Sequence, residues 1–213
     1  MFKKMLLCFL CLFLFSCEAF IVHRLNYGIV LSEVERPTDA KERYGEYEIF
    51  ETEEEGFKYV FEDEMIKVLW LPTSFTIVFR LENKTDHSMR IIWDEAAYVD
   101  ENGGSHRVMH GGVKYSEKQA TQPSSVVVRR GTLSDVIYPT DYVSYTSGAY
   151  GGWNEQPLLP NEQMGGDPQT LLRASEEFIG KTVQILLPIQ IEDVTNDYIF
   201  TFKIESAELV KKK

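Results

Sequence analysis

The sequence predicts an all-β protein, an antiparallel β-sandwich with one short helix near its C-terminal strands. Three observations carry this reading. Apolar and polar residues alternate with period two in several stretches, as in Phe75, Ile77, Phe79 and Leu81 with Thr76, Arg80 and Glu82 largely opposite. Short strand-like runs recur at close spacing between turn signals, roughly nine to eleven of them. Only Thr170–Gly180 carries a helical pattern, closed by Gly180.

In chain order, Ile21–Leu31 reads as one or two strands, and the polar run Glu33–Arg43 with Pro37 as a loop. Tyr44–Glu51 and Phe57–Phe61 flank the acidic tip Thr52–Gly56, which makes a hairpin with a solvated, edge-guarding turn. Met65–Leu71 places Ile66, Val68 and Trp70 on one face. After the turn at Asn83–His87, Met89, Ile91 and Trp93 continue the alternation. Ala97–Val99 and His106–His110 flank a turn containing Asn102-Gly103, a strong hairpin signal.

Gly111–Ser125 reads as a loop, and Val126–Val128 and Val136–Tyr138 as strands on either side of Gly131. Tyr142–Tyr145 follows a turn at Pro139. From Thr146 to Gln169 the glycines and prolines (Gly148, Gly151, Gly152, Pro157, Pro160 among them) predict an irregular insertion with no regular element. The last strands are Lys181–Ile191 and Asp197–Leu209, where Tyr198, Phe200, Phe202 and Ile204 alternate with Thr201, Lys203 and Glu205.

The first residues carry a different signal. Lys3 and Lys4 precede an apolar run too short to span a bilayer, the pattern of a secretory signal. Leu14-Phe15-Ser16-Cys17 resembles the lipobox of bacterial lipoproteins, with Phe15 where a smaller residue is commoner. That resemblance implies cleavage before Cys17 and acylation of its sulfur, with palmitate among the chains. Residues 1–16 are then a signal peptide, 17–22 a lipidated tether, and 23–213 a single β-sandwich domain with the insertion at 146–169. The sorting rule of such lipoproteins retains those with aspartate after the cysteine in the inner membrane. Glu18 is not aspartate, so the outer membrane is favoured.

The strands Phe75–Asn83 and Met89–Asp94, a Gly-rich turn and a late aromatic strand resemble immunoglobulin-like domains of uncharacterised bacterial lipoproteins. The resemblance covers about residues 57–206 and implies a fold rather than an activity.

The net charge is −11, and the signal segment holds two of the lysines and no acid, so the mature chain is more acidic still. Such a chain is a poor electrostatic partner for nucleic acid or for anionic headgroups. Attachment to the bilayer therefore rests on the acyl chains of Cys17. Cys8 and Cys11 fall inside the signal, so an acylated Cys17 leaves no thiol for a disulfide, a metal site or a nucleophile.

His106 and His110 would share a helix face, but on a strand they stand about 13 Å apart, too far for one metal unless a bulge or turn brings them together with Asp94 or Glu95; exposed or hydrogen-bonded strand histidines are the better account. No Gly-x-Ser-x-Gly or Ser-x-x-Lys occurs in the mature chain, and the paired glycines lack a following helix that would hold phosphate.

No cofactor is expected, and no catalytic constellation. The remaining candidates are Tyr142, Tyr145, Tyr150 and Trp153, aromatics beside glycine that either cap the sandwich or form a recognition surface. The expectation is a non-enzymatic, lipid-anchored interaction or assembly module of the cell envelope, its partner an envelope protein or glycan. One alternative is a carrier of a small ligand or glycan with 146–169 as lid. Another is a hydrolase whose site is assembled from distant residues.

Overall fold

A computed structural model of the chain describes residues 23–163 and 167–211. The signal, Cys17 and the tether lie outside the described residues. In chain order the strands are β1 (His23–Glu35), β2 (Glu48–Glu51), β3 (Tyr59–Glu62), β4 (Ile66–Pro72), β5 (Ile77–Asn83), β6 (Met89–Ile91), β7 (Ala97–Val99) and β8 (Ser105–His110). They continue as β9 (Ser125–Val127), β10 (Thr132–Pro139), β11 (Val143–Thr146), β12 (Gly152–Glu155), β13 (Glu162–Gln163), β14 (Thr182–Ile191) and β15 (Val194–Lys211). A one-turn helix α1 (Ala40–Tyr44) and the helix α2 (Pro168–Ser175) complete the elements used below.

All pairings are antiparallel. One large sheet runs in the order β13-β1-β15-β14-β7-β8-β10-β5-β4-β3-β2, with β6 against β14 and β9 beside β6. It folds back on itself into a barrel-like sandwich that is nearly closed. The predicted all-β class with a short helix before the C-terminal strands is therefore observed.

Period-two alternation builds the core. Tyr198, Phe200, Phe202 and Ile204 of β15 are all fully buried, as are Phe61, Val68, Trp70, Ile77, Phe79 and Leu81 from the facing strands. Phe200 meets Trp70 at 4.7 Å and Phe61 at 5.5 Å between ring centroids, and Trp70 meets Phe202 edge-on at 5.5 Å. These contacts join the two layers through aromatic pairs. Gly28 stands opposite Ser206 beside a register shift in the β1–β15 pairing, and a Cβ there would lie 2.4 Å from Ser206 Oγ, so a larger residue requires that hydroxyl to turn away.

Two buried polar residues, Asp63 and Asn83, latch one end of the sandwich, on either side of Ile66. Asp63 Oδ1 accepts from the backbone N–H groups of Met65 (2.8 Å) and Ile66 (2.9 Å). Its Oδ2 accepts from Tyr198 Oη (3.0 Å) and Arg36 (3.3 Å), tying the segment after β1 to the β3–β4 turn. Burial, with Asp63 beside it, pushes the Tyr198 hydroxyl well above its ordinary value, so it remains a donor. At the same end Asn83, opposite Ile66 in the register, donates to the carbonyls of His87, Val127 and Val128 while its Oδ1 accepts from Thr85, which joins β5 to β9.

Several local expectations change. The predicted loop Glu33–Arg43 contains the end of β1 and most of α1, which begins three residues after Pro37. The helix near the C-terminus starts earlier than predicted, at Pro168, because Asp167 caps it by accepting from Gln169 N–H. The acidic tip is not merely solvated: Glu54 and Glu55 pair with Arg80, and Lys67 lies 3.6 Å from Glu54. The insertion 146–169 is also not irregular throughout, since it supplies β12, β13 and the start of α2.

Candidate functional site

β11 and β12 form a two-stranded sheet of their own, outside the large sheet. The register pairs Val143 with Glu155, Ser144 with Asn154, Tyr145 with Trp153 and Thr146 with Gly152. Cross-strand aromatic pairing of Tyr145 and Trp153, 5.3 Å apart and edge-to-face, stabilises the hairpin where the glycines alone would not. Gly151 N–H donates to the Gly148 carbonyl at 3.0 Å, closing the tip. A Cβ on Gly151 would lie 2.1 Å from the Thr146 carbonyl oxygen, so this turn requires glycine there.

The base of the hairpin is fixed from three sides. Lys118 Nζ donates to the carbonyls of Thr140 (2.7 Å) and Val143. Tyr115 Oη donates to Glu155, and its ring packs on Trp153 at 5.6 Å. Burial and the Glu155 carboxylate push the Tyr115 hydroxyl far above its usual range. Downstream, Leu158 N–H donates to the Ser74 carbonyl at 2.8 Å, and Leu158 and Leu159 are buried.

The third anchor is His106. Its Nδ1 lies 2.7 Å from Asp141 Oδ2 and its Nε2 3.0 Å from Asp100 Oδ2. Burial of the ring works against its charge, but the hydrogen bonds to Asp100 and Asp141 outweigh this and raise its pKa. With a carboxylate at each nitrogen, the charged ring donates twice. Asp100 is lowered in turn: burial opposes its charge, but His106 and the backbone N–H groups of Gly104 and Asn102 favour it more. The clamp spans from the β7–β8 turn to the residue two before β11.

The four aromatics singled out by sequence separate into two groups. Tyr145 is 63% exposed, Trp153 43%, and Tyr150 at the tip is fully exposed. Tyr142 is instead partly buried against the clamp, 5.2 Å from the His106 ring and 6.1 Å from Tyr98. Burial and the acids Asp100, Glu101 and Asp141 push its hydroxyl up to about 12. Tyr142 is thus a support and the other three form the surface. Tyr115, Glu155, Lys118 and the two aspartates are the residues that sequence reading missed. Asp100 heads an Asn-Gly turn, but nothing local signals its pairing with His106 or that of Asp141, 35 positions away.

His110 is the other histidine of β8. Its Nδ1 meets Asp135 at 3.0 Å, and its ring stacks on Trp93 at 4.4 Å. The two histidines thus serve separate aspartates. Among the described residues, no group of three or more His, Cys, Asp or Glu side chains could hold a metal ion. Among the same residues, no helix is long and apolar enough to cross a membrane. Comparison with protein-family models, curated proteins and solved structures finds no match for this chain.

Proposed function

We propose that this is a lipid-anchored, non-enzymatic module of the bacterial cell envelope, held in the membrane through acylated Cys17, that recognises an envelope protein with the β11–β12 hairpin. The observation that carries the reading is the exposed set Tyr145, Tyr150 and Trp153 on a hairpin braced at its base by Lys118, Tyr115 and the His106 clamp. Tyrosine and tryptophan lose little side-chain entropy on binding and dominate interface hot spots.

Aromatic side chains bury about 150–250 Å² each when fully covered, so these three, two of them already partly covered, supply roughly half of the ~800 Å² that one partner contributes to a standard interface. A braced hairpin also lowers the ordering cost of association. The lipobox resemblance at Leu14–Cys17 supports the anchor, and Glu18 favours the outer membrane.

The test is a Tyr150→Ser variant in the bacterium that makes the protein, which leaves the Tyr145–Trp153 pair that holds the hairpin in place. Recovery of the partner should fall at least about tenfold relative to the wild-type chain, as expected for loss of one hot-spot residue, with anchoring and circular dichroism unchanged. Equal recovery of the same partner from both forms rejects the hairpin as the recognition surface.

A further inference from the structure

We propose that the open edge of β2 takes up an extended, basic segment of a partner protein as an added strand. β2 ends the large sheet and pairs only with β3 among the described residues. Thr52 N–H donates to the Lys58 carbonyl at 2.9 Å, one step beyond the last β2–β3 pair and in the same register. Hydrogen-bonded positions alternate along an antiparallel pair, so Phe50 with Val60 and Glu48 with Glu62 bond inward. The β3–β4 ladder agrees: Asp63 N–H donates to the Ile66 carbonyl at 3.0 Å, which sends Tyr59 and Phe61 toward β4 and leaves Val60 and Glu62 for β2. The N–H and C=O groups of Ile49 and Glu51 therefore face outward and find no partner among the described residues. Glu48, Phe50 and Glu51 are exposed, so the edge is open to solvent.

Charge decides what the edge accepts. Glu48 and Glu51 on the strand, with Glu53 and Glu64 beyond its ends, form no ion pair among the described residues, whereas Glu46 and Glu62 are matched by Lys41 and Lys84. A second copy of β2 laid alongside would bring these carboxylates together, and like charges across a strand pair are destabilising. The acids thus reject self-pairing, the usual hazard of a bare edge, and favour a strand that carries lysine or arginine.

The surroundings fit long basic side chains. A hollow of about 370 Å³ at the start of β2 is lined by Glu46, Glu48, Glu62 and Glu64, and Lys84 within it is already held by Glu62 at 2.7 Å. A second hollow of about 350 Å³ at the end of β2 sets Glu51 and Glu53 against one lysine, Lys58. Phe50, 41% exposed and on the same face as Glu48, offers an apolar contact between the two. Main-chain hydrogen bonds to Ile49 and Glu51 then supply affinity, and the glutamates and Phe50 select alternating basic and apolar side chains. The edge belongs to the large sheet and the aromatic hairpin to a separate one, so either proposal can fail without the other.

The experiment titrates the full chain, in a non-ionic detergent, with the peptide acetyl-Lys-Val-Lys-Val-Arg-Val-Lys-amide and follows backbone amide exchange by NMR. In the free protein the Ile49 and Glu51 amides should exchange fast and the Phe50 amide slowly; the peptide should protect Ile49 and Glu51 saturably. A peptide of the same sequence N-methylated at alternate residues keeps the charge and cannot form the ladder, so it should give no protection. The double variant Glu48→Gln, Glu51→Gln should weaken the unmodified peptide about fivefold, the worth of two exposed ion pairs. The proposal is overturned if the peptide gives no saturable protection at these two amides, or if the N-methylated peptide binds as tightly. It is equally overturned if the double variant binds as tightly as the wild type, or if the free chain already protects both amides.

Discussion

Replacing Asp63 by alanine tests the closure of the sandwich. The carboxylate is fully buried and accepts from four donors: Met65 N–H, Ile66 N–H, Tyr198 Oη and Arg36 Nη1. Alanine leaves two backbone donors unmatched at about 1–3 kcal/mol each, an upper range because the turn can relax toward water. It also strands the Arg36 guanidinium, whose side chain is 8% exposed, and breaking one partner of a buried pair costs about 3–5 kcal/mol. These costs overlap, so Asp63→Ala should lower stability by about 3–5 kcal/mol in total.

Asp63→Asn keeps an oxygen for the two backbone donors but sets an amide NH2 where Oδ2 accepted, so Tyr198 Oη must turn to accept and Arg36 loses both its acceptor and its countercharge; it should still cost less than alanine. Tyr198→Phe removes one hydrogen bond and should cost about 1 kcal/mol. Urea unfolding followed by tryptophan fluorescence and far-ultraviolet circular dichroism gives all three, provided the slopes agree. An alanine variant within about 1 kcal/mol of wild type, or an asparagine variant as damaged as alanine, would refute the assignment of Asp63 as the latch.

Three further outcomes are expected. Because the His106 pKa is raised in the folded state, its clamp contributes fully below about pH 6.5, the unfolded value, and is lost as pH rises through the folded value. The depressed Asp100 pKa adds stability above about pH 4 that is lost on further acidification. Urea midpoints should therefore fall on the alkaline side in wild type and not in His106→Leu, the exposed Asp141 carboxylate adding less than the buried Asp100. Cys17→Ala should stop lipid-dependent processing and abolish incorporation of labelled fatty acid; a variant that keeps the wild-type mass and the lipid label would contradict the anchor. Tyr150→Ser should leave stability within about 0.5 kcal/mol by thermal melting, since the side chain is fully exposed.

Legibility in the sequence followed the range of the interaction. Where one strand face is apolar, as in Ile77-Phe79-Leu81 and Tyr198-Phe200-Phe202-Ile204, period two alone located both the strand and its buried face. The hairpin of β11 and β12 was hidden because Gly148, Gly151 and Gly152 mark turns, while the Tyr145–Trp153 pair that holds the strands becomes visible only once they are aligned. Helix α2 was found, but its start was displaced because Asp167 and Pro168 sat inside a stretch read as loop. Polar latches were the least legible. Asp63 lies 27 positions from Arg36 and 135 from Tyr198, and no local pattern records such a meeting. The exposed aromatics were picked out by type and neighbours, yet only the three-dimensional packing separated Tyr142, a support under His106, from Tyr145, Tyr150 and Trp153.

The most direct test of the recognition surface is photo-crosslinking in the native envelope. A photoreactive side chain at Ala149, beside Tyr150 in the hairpin turn, is compared with one at the exposed Glu48 of edge strand β2. The account predicts one dominant protein adduct from position 149, absent from position 48 and strongly reduced by Tyr150→Ser, which leaves the Tyr145–Trp153 pair intact. A folded, membrane-attached protein that gives no protein adduct at 149, or the same adducts at both positions, would contradict it.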